Sequence, residues 1–195
     1  MEQVFWNRQT RLLHMGMASL VTLQLFISLV MEAPDEEGAA GLGHAAFEVH
    51  EMVGFAAVIV VFLHWVWSLR DQTGGGIRHL FPWRGEGWAA VKADVQDLSK
   101  RRLPAGGPRG GLPGLVHGLG FLAVTGMALT GAALLVLLPE SGEPPEAAEL
   151  FAEAHEFISS FVWLYWIGHV GLAVMHHMKG EGNLRAMFRI GKTGE

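Results

Sequence analysis

Apolar residues in this chain gather into four blocks, which are separated by segments rich in glycine, proline and charge. The blocks cover about residues 12–31, 45–69, 115–138 and 157–178. Each is long enough to cross a membrane, because about 20 apolar residues in a helix span a hydrocarbon core of about 30 Å. A helix also satisfies its own backbone polar groups in lipid. The pattern predicts an all-α integral membrane four-helix bundle, a single membrane domain over 1–195 with one long loop at 70–114.

The distribution of charge predicts how the bundle is oriented. All 14 Lys and Arg residues precede the first span, lie between the second and third, or follow the fourth. The other two connections, about 32–48 and 139–156, contain none and are acidic, and the second holds six glutamates. The positive-inside rule therefore places both termini and the long loop in the cytoplasm. We expect a multi-pass protein of the bacterial inner membrane.

The long middle loop carries one further helical pattern. Apolar residues recur at helical spacing, opposite Lys92 and Asp94: they are Trp88, Val91, Val95 and Leu98. This spacing predicts a short amphipathic helix on the cytoplasmic surface. No segment outside the spans is large enough for a separate catalytic domain, and we expect no nucleic-acid partner.

The absence of cysteine limits the chemistry that the chain can perform. With no cysteine, iron–sulfur clusters, thiol catalysis, covalently attached c-type haem and disulfides are all excluded. The ten histidines are then the conspicuous feature. Ionisable side chains inside a bilayer are costly and indicate function by default. His44 and His79 fall in predicted loops and are expected to be ordinary surface residues, whereas the other eight lie in or at the ends of predicted spans.

The spacing of four histidines indicates a cofactor site. His155 and His169 are 14 residues apart on the fourth span, as His50 and His64 are on the second. Fourteen residues make nearly four helical turns, so each pair shares one helix face, about 21 Å apart. The two spans run in the same direction, and His14 near the cytoplasmic start of the first span is level with His169. Two layers of facing imidazoles are what two bis-histidine haems within a bundle require.

Other interpretations of buried histidines are weaker. A lone membrane histidine is more often a hydrogen-bond partner between helices than a ligand. Structural zinc needs four close ligands, which layers about 21 Å apart do not offer. A haem-free proton channel or transporter usually has an acidic residue within a span, and none of the four blocks has one in its middle.

Seven segments of the chain form an ordered pattern: Arg11-Leu12-Leu13-His14, His50-Glu51-Met52-Val53-Gly54, Leu129-Thr130-Gly131, His155-Glu156, His169, His176-His177 and Asn183-Leu184-Arg185-Ala186-Met187. In these segments the chain resembles the bacterial cytochrome b561 and nickel-hydrogenase b-type cytochrome family, and the resemblance covers nearly its whole length. Each segment alone is weakly specific, but their order and the 14-residue interval are specific together.

The resemblance implies two haems b. The outer haem is expected between His50 and His155, and the inner haem between His14 and His169. His64 stands where many relatives have an arginine that contacts a haem propionate. It either keeps that role or competes with His14 for the inner iron, and the resemblance favours His14.

Five further residues are candidates for contacts to haem propionates or to a bound quinone: Arg11, Arg70, His117, His176 and His177. For the histidines at the end of the fourth span, an interfacial position reaching water is an equal alternative. For His117, which lies between Gly114 and Gly118, a packing role is an equal alternative.

The function expected from these features is transmembrane electron transfer between the quinone pool, ubiquinone or menaquinone, and a periplasmic partner. The acidic outer segment favours a basic partner such as a cytochrome c. The resemblance leaves two alternatives: a superoxide:quinone oxidoreductase, and a membrane-anchor cytochrome of a hydrogenase-like periplasmic oxidoreductase. Whether the protein is itself an enzyme stays open at this point.

Overall fold

The structure is a computed structural model that describes residues 6–32, 41–71, 76–102, 110–139, 144–180 and 183–188. Within these ranges it contains helices and no strand. The helices are α1 (Arg8–Ile27), α2 (Leu42–Arg70), α3 (Ile77–Leu80), α4 (Gly85–Ser99), α5 (Leu112–Leu137), α6 (Glu146–Met178) and α7 (Asn183–Phe188). The prediction of an all-α protein is confirmed.

Four of these helices, α1, α2, α5 and α6, are long and apolar enough to cross a membrane. Their surfaces are apolar and exposed, as at Leu129 (68%), Val136 (83%) and Leu164 (72%). Side chains of this kind are stable in contact with lipid rather than with water. The four predicted spans are therefore confirmed as helices, although α6 begins at Glu146 rather than near 157.

The described chain forms two compact units, and each of the four long helices contributes to both. The first unit comprises residues 1–15, 63–121 and 167–195, and the second comprises 16–62 and 122–166. The first unit includes α3, α4 and α7 as well as one end of every long helix.

In the first unit, the segment around α3 packs closely against α5. The backbone carbonyl of Leu80 occupies the place where a side chain at Gly118 would lie, so only glycine fits there. The Trp65 ring stacks on Phe81 at 6.2 Å and also contacts Phe121 at 4.7 Å. Gly118, one of the two glycines beside His117, therefore lets the backbone of this short segment lie directly against α5.

Helix α4 confirms the predicted helix in the middle loop, but not its polar face. Asp94, expected on the solvent side, is only 5% exposed, and Val91 is 4% exposed. The Asp94 carboxylate accepts a hydrogen bond of 2.9 Å from the backbone N–H of Leu112, the first residue of α5. The first N–H groups of a helix lack partners within the helix, so a buried carboxylate here is stabilised. The preceding Gly-Pro-rich segment, 103–109, lies outside the described residues.

In the second unit, α1 is held to its neighbours by polar contacts. The Trp166 indole N–H donates to the Thr22 hydroxyl at 2.9 Å, and the Gln24 amide donates to the His50 carbonyl at 3.0 Å. Phe26 makes edge contacts with the rings of Trp163 and Trp166. These contacts fix the faces of α1, α2 and α6 that meet within the unit.

Candidate functional site

His50 of α2 and His155 of α6 face each other in the second unit. Their ring centroids are 6.3 Å apart and their planes are inclined by 79°. Both residues are half-buried. The Nδ1 atom of His50 is buried and has no hydrogen-bond partner among the described residues. This pair joins the two residues that the sequence assigns to the outer layer.

His14 of α1 and His169 of α6 form the corresponding pair in the first unit. Their ring centroids are 6.2 Å apart and their planes are inclined by 55°. The Nδ1 atom of His14 is likewise buried without a partner in the part of the chain that the structure describes. The ring of Phe188, from α7, contacts His14 edge-on at 6.1 Å. These are the two residues that the family resemblance assigns to the inner layer.

The spacing within both pairs fits an iron held between two imidazoles. A histidine nitrogen lies about 2.0 Å from a bound metal, and the ring centroid about 1.1 Å further, so two such ligands on opposite sides of a metal would have centroids about 6.2 Å apart. Another imidazole pair, His117 and His169, lies closer, at 4.9 Å. A porphyrin supplies the other four nitrogen ligands of its iron, so two histidines complete the set. The residues present therefore fit haem b.

His155 is the better supported ring of the outer pair. Its Nδ1 atom lies 2.7 Å from the hydroxyl oxygen of Thr130 on α5. A Cβ atom at the next residue, Gly131, would lie 3.2 Å from Cε1 of the same ring. Thr130 and Gly131 belong to one of the segments that resemble the family, but the sequence predicted no role for them. A threonine next to a glycine within an apolar span was the only indication in the sequence that this position contacts the site.

The position of His64 bears on which residue faces His169. His64 is only 7% exposed. Its Nδ1 atom lies 3.1 Å from the Ser68 hydroxyl, and its ring packs on Phe121 at 4.8 Å. His14, by contrast, stands opposite His169 at the spacing expected for a shared metal. The geometry favours His14 as the inner partner and a supporting role for His64.

His117 lies beside the inner pair. Its Nδ1 atom is 2.6 Å from the Pro113 carbonyl, which can only accept, so Nδ1 carries the proton and donates. Its ring contacts His169 edge-on at 4.9 Å. His117 therefore contacts a predicted axial ligand directly, which the sequence did not predict.

His79 is not the ordinary surface residue expected from the sequence. It lies in α3 and is half-buried. Burial, and to a smaller extent the nearby His117, lowers the pKa of His79 to about 4. That expectation was wrong because the loop folds back onto α5. His44, also expected in a loop, lies in the first turn of α2, 3.6 Å from Glu48.

The remaining candidates lie toward the ends of helices in the first unit. Arg11 on α1 is buried, at 5% exposed, whereas Arg70 is exposed at the last residue of α2. His176 and His177 are half-buried in the last turn of α6. A guanidinium donates hydrogen bonds to carboxylates, so Arg11 stays a candidate for a propionate contact. The exposure of Arg70 gives no support to such a role.

Helices long enough to cross a membrane carry histidines whose rings face each other in pairs. This combination is typical of one class of protein, the membrane cytochromes that bind haem b. A family model described as "Prokaryotic cytochrome b561" matches residues 5–189. The chain belongs to this family and is a membrane b-type cytochrome of electron transfer. No curated protein and no solved structure matches the chain.

Proposed function

We propose that this protein is a di-haem cytochrome that carries electrons between the membrane quinone pool and a cationic redox protein on the periplasmic face of the inner membrane. The observation that carries the proposal is the pair of imidazole contacts, each near 6.3 Å, made by histidines on separate long helices. Bound haem b supplies one-electron exchange between ferric and ferrous iron. The chain supplies the ligands, the orientation and the surrounding charge.

Each histidine pair has a proposed assignment. His50 and His155 hold the outer haem, and His14 and His169 hold the inner haem. Because α6 contributes one ligand to each pair, the two sites share one continuous helix. Both termini then lie in the cytoplasm, in agreement with the distribution of Lys and Arg.

The cytoplasmic end of the bundle is the proposed site of quinone or propionate contacts. Arg11 is buried there, and His176 and His177 are half-buried in the last turn of α6. Cationic or hydrogen-donating side chains are suited to haem propionates and to the carbonyl oxygens of a quinone head group. His117 is suited to support His169 through ring contact.

The first turns of α6 support a cationic partner on the outer face. Four exposed glutamates repeat at intervals of three, four and three residues: Glu146, Glu149, Glu153 and Glu156. At 100° per residue this spacing keeps them within one narrow stripe, and His155 lies on the opposite face of the helix. We call these four residues the acidic stripe. It lies at the same end of α6 as His155, attracts positive charge and disfavours an anionic substrate such as superoxide.

The docking proposal is tested by removing two charges from the acidic stripe. The variant Glu149→Gln/Glu153→Gln is expected to slow electron exchange with a soluble, positively charged cytochrome c about three- to tenfold at low salt, and less as salt screens the charges. A matched control is Glu86→Gln/Asp97→Asn, which removes two charges from α4 on the cytoplasmic side. Equal slowing by both variants, or none by either, would contradict docking at the stripe.

The quinone half of the proposal is tested by pre-steady-state reduction. When purified protein is mixed rapidly with a ubiquinol or menaquinol analogue, its haem is expected to become reduced in the first turnover. Addition of ferric cytochrome c is then expected to reoxidise that haem. Haem that binds normally but is not reduced by either quinol would exclude the quinone pool as a partner.

A further inference from the structure

The Thr130 hydroxyl lies between the ring of His155 and the backbone of its own helix. Its oxygen is 2.7 Å from His155 Nδ1, 2.9 Å from the Gly126 carbonyl oxygen and 3.2 Å from the Met127 carbonyl oxygen. When Nε2 of His155 binds a metal, Nδ1 carries the proton of the ring. The Thr130 hydroxyl then accepts from Nδ1 and donates its own hydrogen to a backbone carbonyl, which can only accept.

The same part of α5 also limits where the ring can lie. Thr130 is 9% exposed, so its hydroxyl has little contact with competing water. A Cβ atom at Gly131 would lie 3.2 Å from Cε1 and 3.8 Å from Nδ1 of His155. The ring is thus held by a hydrogen bond at Nδ1 and lies against the space that a side chain at position 131 would occupy. Two neighbouring residues of α5 fix its orientation.

The two rings of the outer pair differ in this respect. His155 Nδ1 has the Thr130 hydroxyl as its acceptor, whereas His50 Nδ1 is buried without a partner among the described residues. A hydrogen bond from the distal nitrogen of a ligating imidazole makes the ligand more basic. A more basic ligand stabilises ferric over ferrous iron, so the hydrogen bond makes the haem harder to reduce.

We infer that Thr130 is a positioning residue that fixes the ring of His155 and lowers the reduction potential of the haem that His155 binds. This inference rests on the proposed assignment of His155 as an axial ligand. Thr130 itself does not touch the iron. It acts through the orientation and basicity of the imidazole.

The inference is tested by potentiometric titration of the full-length, haem-loaded Thr130→Val variant. Valine keeps the shape of threonine but cannot accept a hydrogen bond. At a fixed ambient potential, the ferrous-to-ferric ratio of the outer haem is expected to rise up to about tenfold, which is about 59 mV for a one-electron couple. The inner haem is expected to keep its potential. Thr130→Ser, which retains the hydroxyl, is expected to restore the original value, and Thr130→Ala provides a second variant without the hydroxyl.

The matched control is Thr22→Val. Thr22 belongs to the same unit, and its hydroxyl accepts a hydrogen bond from Trp166 rather than from a histidine. The Thr22→Val variant therefore loses an equivalent hydroxyl, and it is expected to leave the reduction potentials of both haems unchanged. An equal shift in Thr22→Val and Thr130→Val, or an unchanged potential in both Thr130→Val and Thr130→Ala, would overturn the inference.

A further variant separates this inference from the proposed function. If His155→Ala removes one haem while the Thr130 variants leave the potential unchanged, the positioning role is wrong and the ligand assignment stands. If His155→Ala retains both haems, the ligand assignment is wrong, and the inference falls with it.

Discussion

Adding one methyl group at Gly131 is expected to disturb the outer haem site. A Cβ atom there would lie 3.2 Å from Cε1 of His155, whereas comfortable carbon contacts begin at about 3.5 Å. The ring must therefore move by a few tenths of an ångström. It has little freedom to do so, because Thr130 holds its Nδ1 and the proposed iron bond holds its Nε2. Overpacking of this kind costs about 1–3 kcal/mol, which corresponds to about a 5- to 150-fold weaker retention of the outer haem.

The assay is transfer of haem from the purified protein to an excess of a soluble haem scavenger, followed by absorbance. Gly126→Ala is the matched control, because its Cβ atom would also lie 3.2 Å from a neighbour, but that neighbour is Cδ1 at the flexible end of Ile158. Both variants gain the same helix propensity, up to about 1 kcal/mol, so the difference between them isolates contact with the histidine. Equal haem retention in Gly131→Ala and Gly126→Ala would show that contact with the His155 ring does not limit haem binding at the outer site.

Three further predictions concern the first unit. His14→Ala is expected to abolish the inner haem and His64→Ala to retain it with an altered spectrum; the reverse result would make His64 the ligand. Asp94→Ala is expected to lower stability by about 1 kcal/mol, through loss of the cap on α5, more than Asp97→Ala does in thermal unfolding in detergent. The folded-state pKa of His79 is about 4, below the 6.5 of a free histidine. Between these two pKa values the unfolded chain therefore binds more protons than the folded chain. The free energy of unfolding of the wild type, compared with that of His79→Gln, should fall by up to about 3 kcal/mol as the pH drops from 6.5 to 4. A difference between the two proteins that does not change with pH would contradict the burial of His79.

The long helices were predictable from the sequence because a helix that crosses lipid needs about 20 consecutive, mostly apolar residues. Four apolar blocks gave four helices, and the 14-residue interval placed His155 and His169 on one face of α6. Helix ends were less predictable. In the sequence, the glutamates before residue 157 resembled a polar loop, yet α6 begins at Glu146 and includes them.

The supporting contacts of the site could not be predicted, because they depend on side-chain distances between helices. Nothing in the local sequence shows that Thr130 reaches His155, which lies 25 residues further along the chain. Asp94 likewise resembled an ordinary solvent-facing residue of an amphipathic helix, and only the return of the chain to α5 explains its burial. Periodicity reports the face of one helix but not the element that covers it.

The most direct test is the haem-to-protein ratio of purified wild type, measured with a reduced-minus-oxidised spectrum. We expect b-type spectra with two haems per chain. We also expect that His50→Ala and His155→Ala each lose the same haem, and that His14→Ala and His169→Ala each lose the other. A folded protein that binds a single haem, or that keeps its full haem content when His155 or His169 is replaced, would show that the two histidine pairs do not hold two haems.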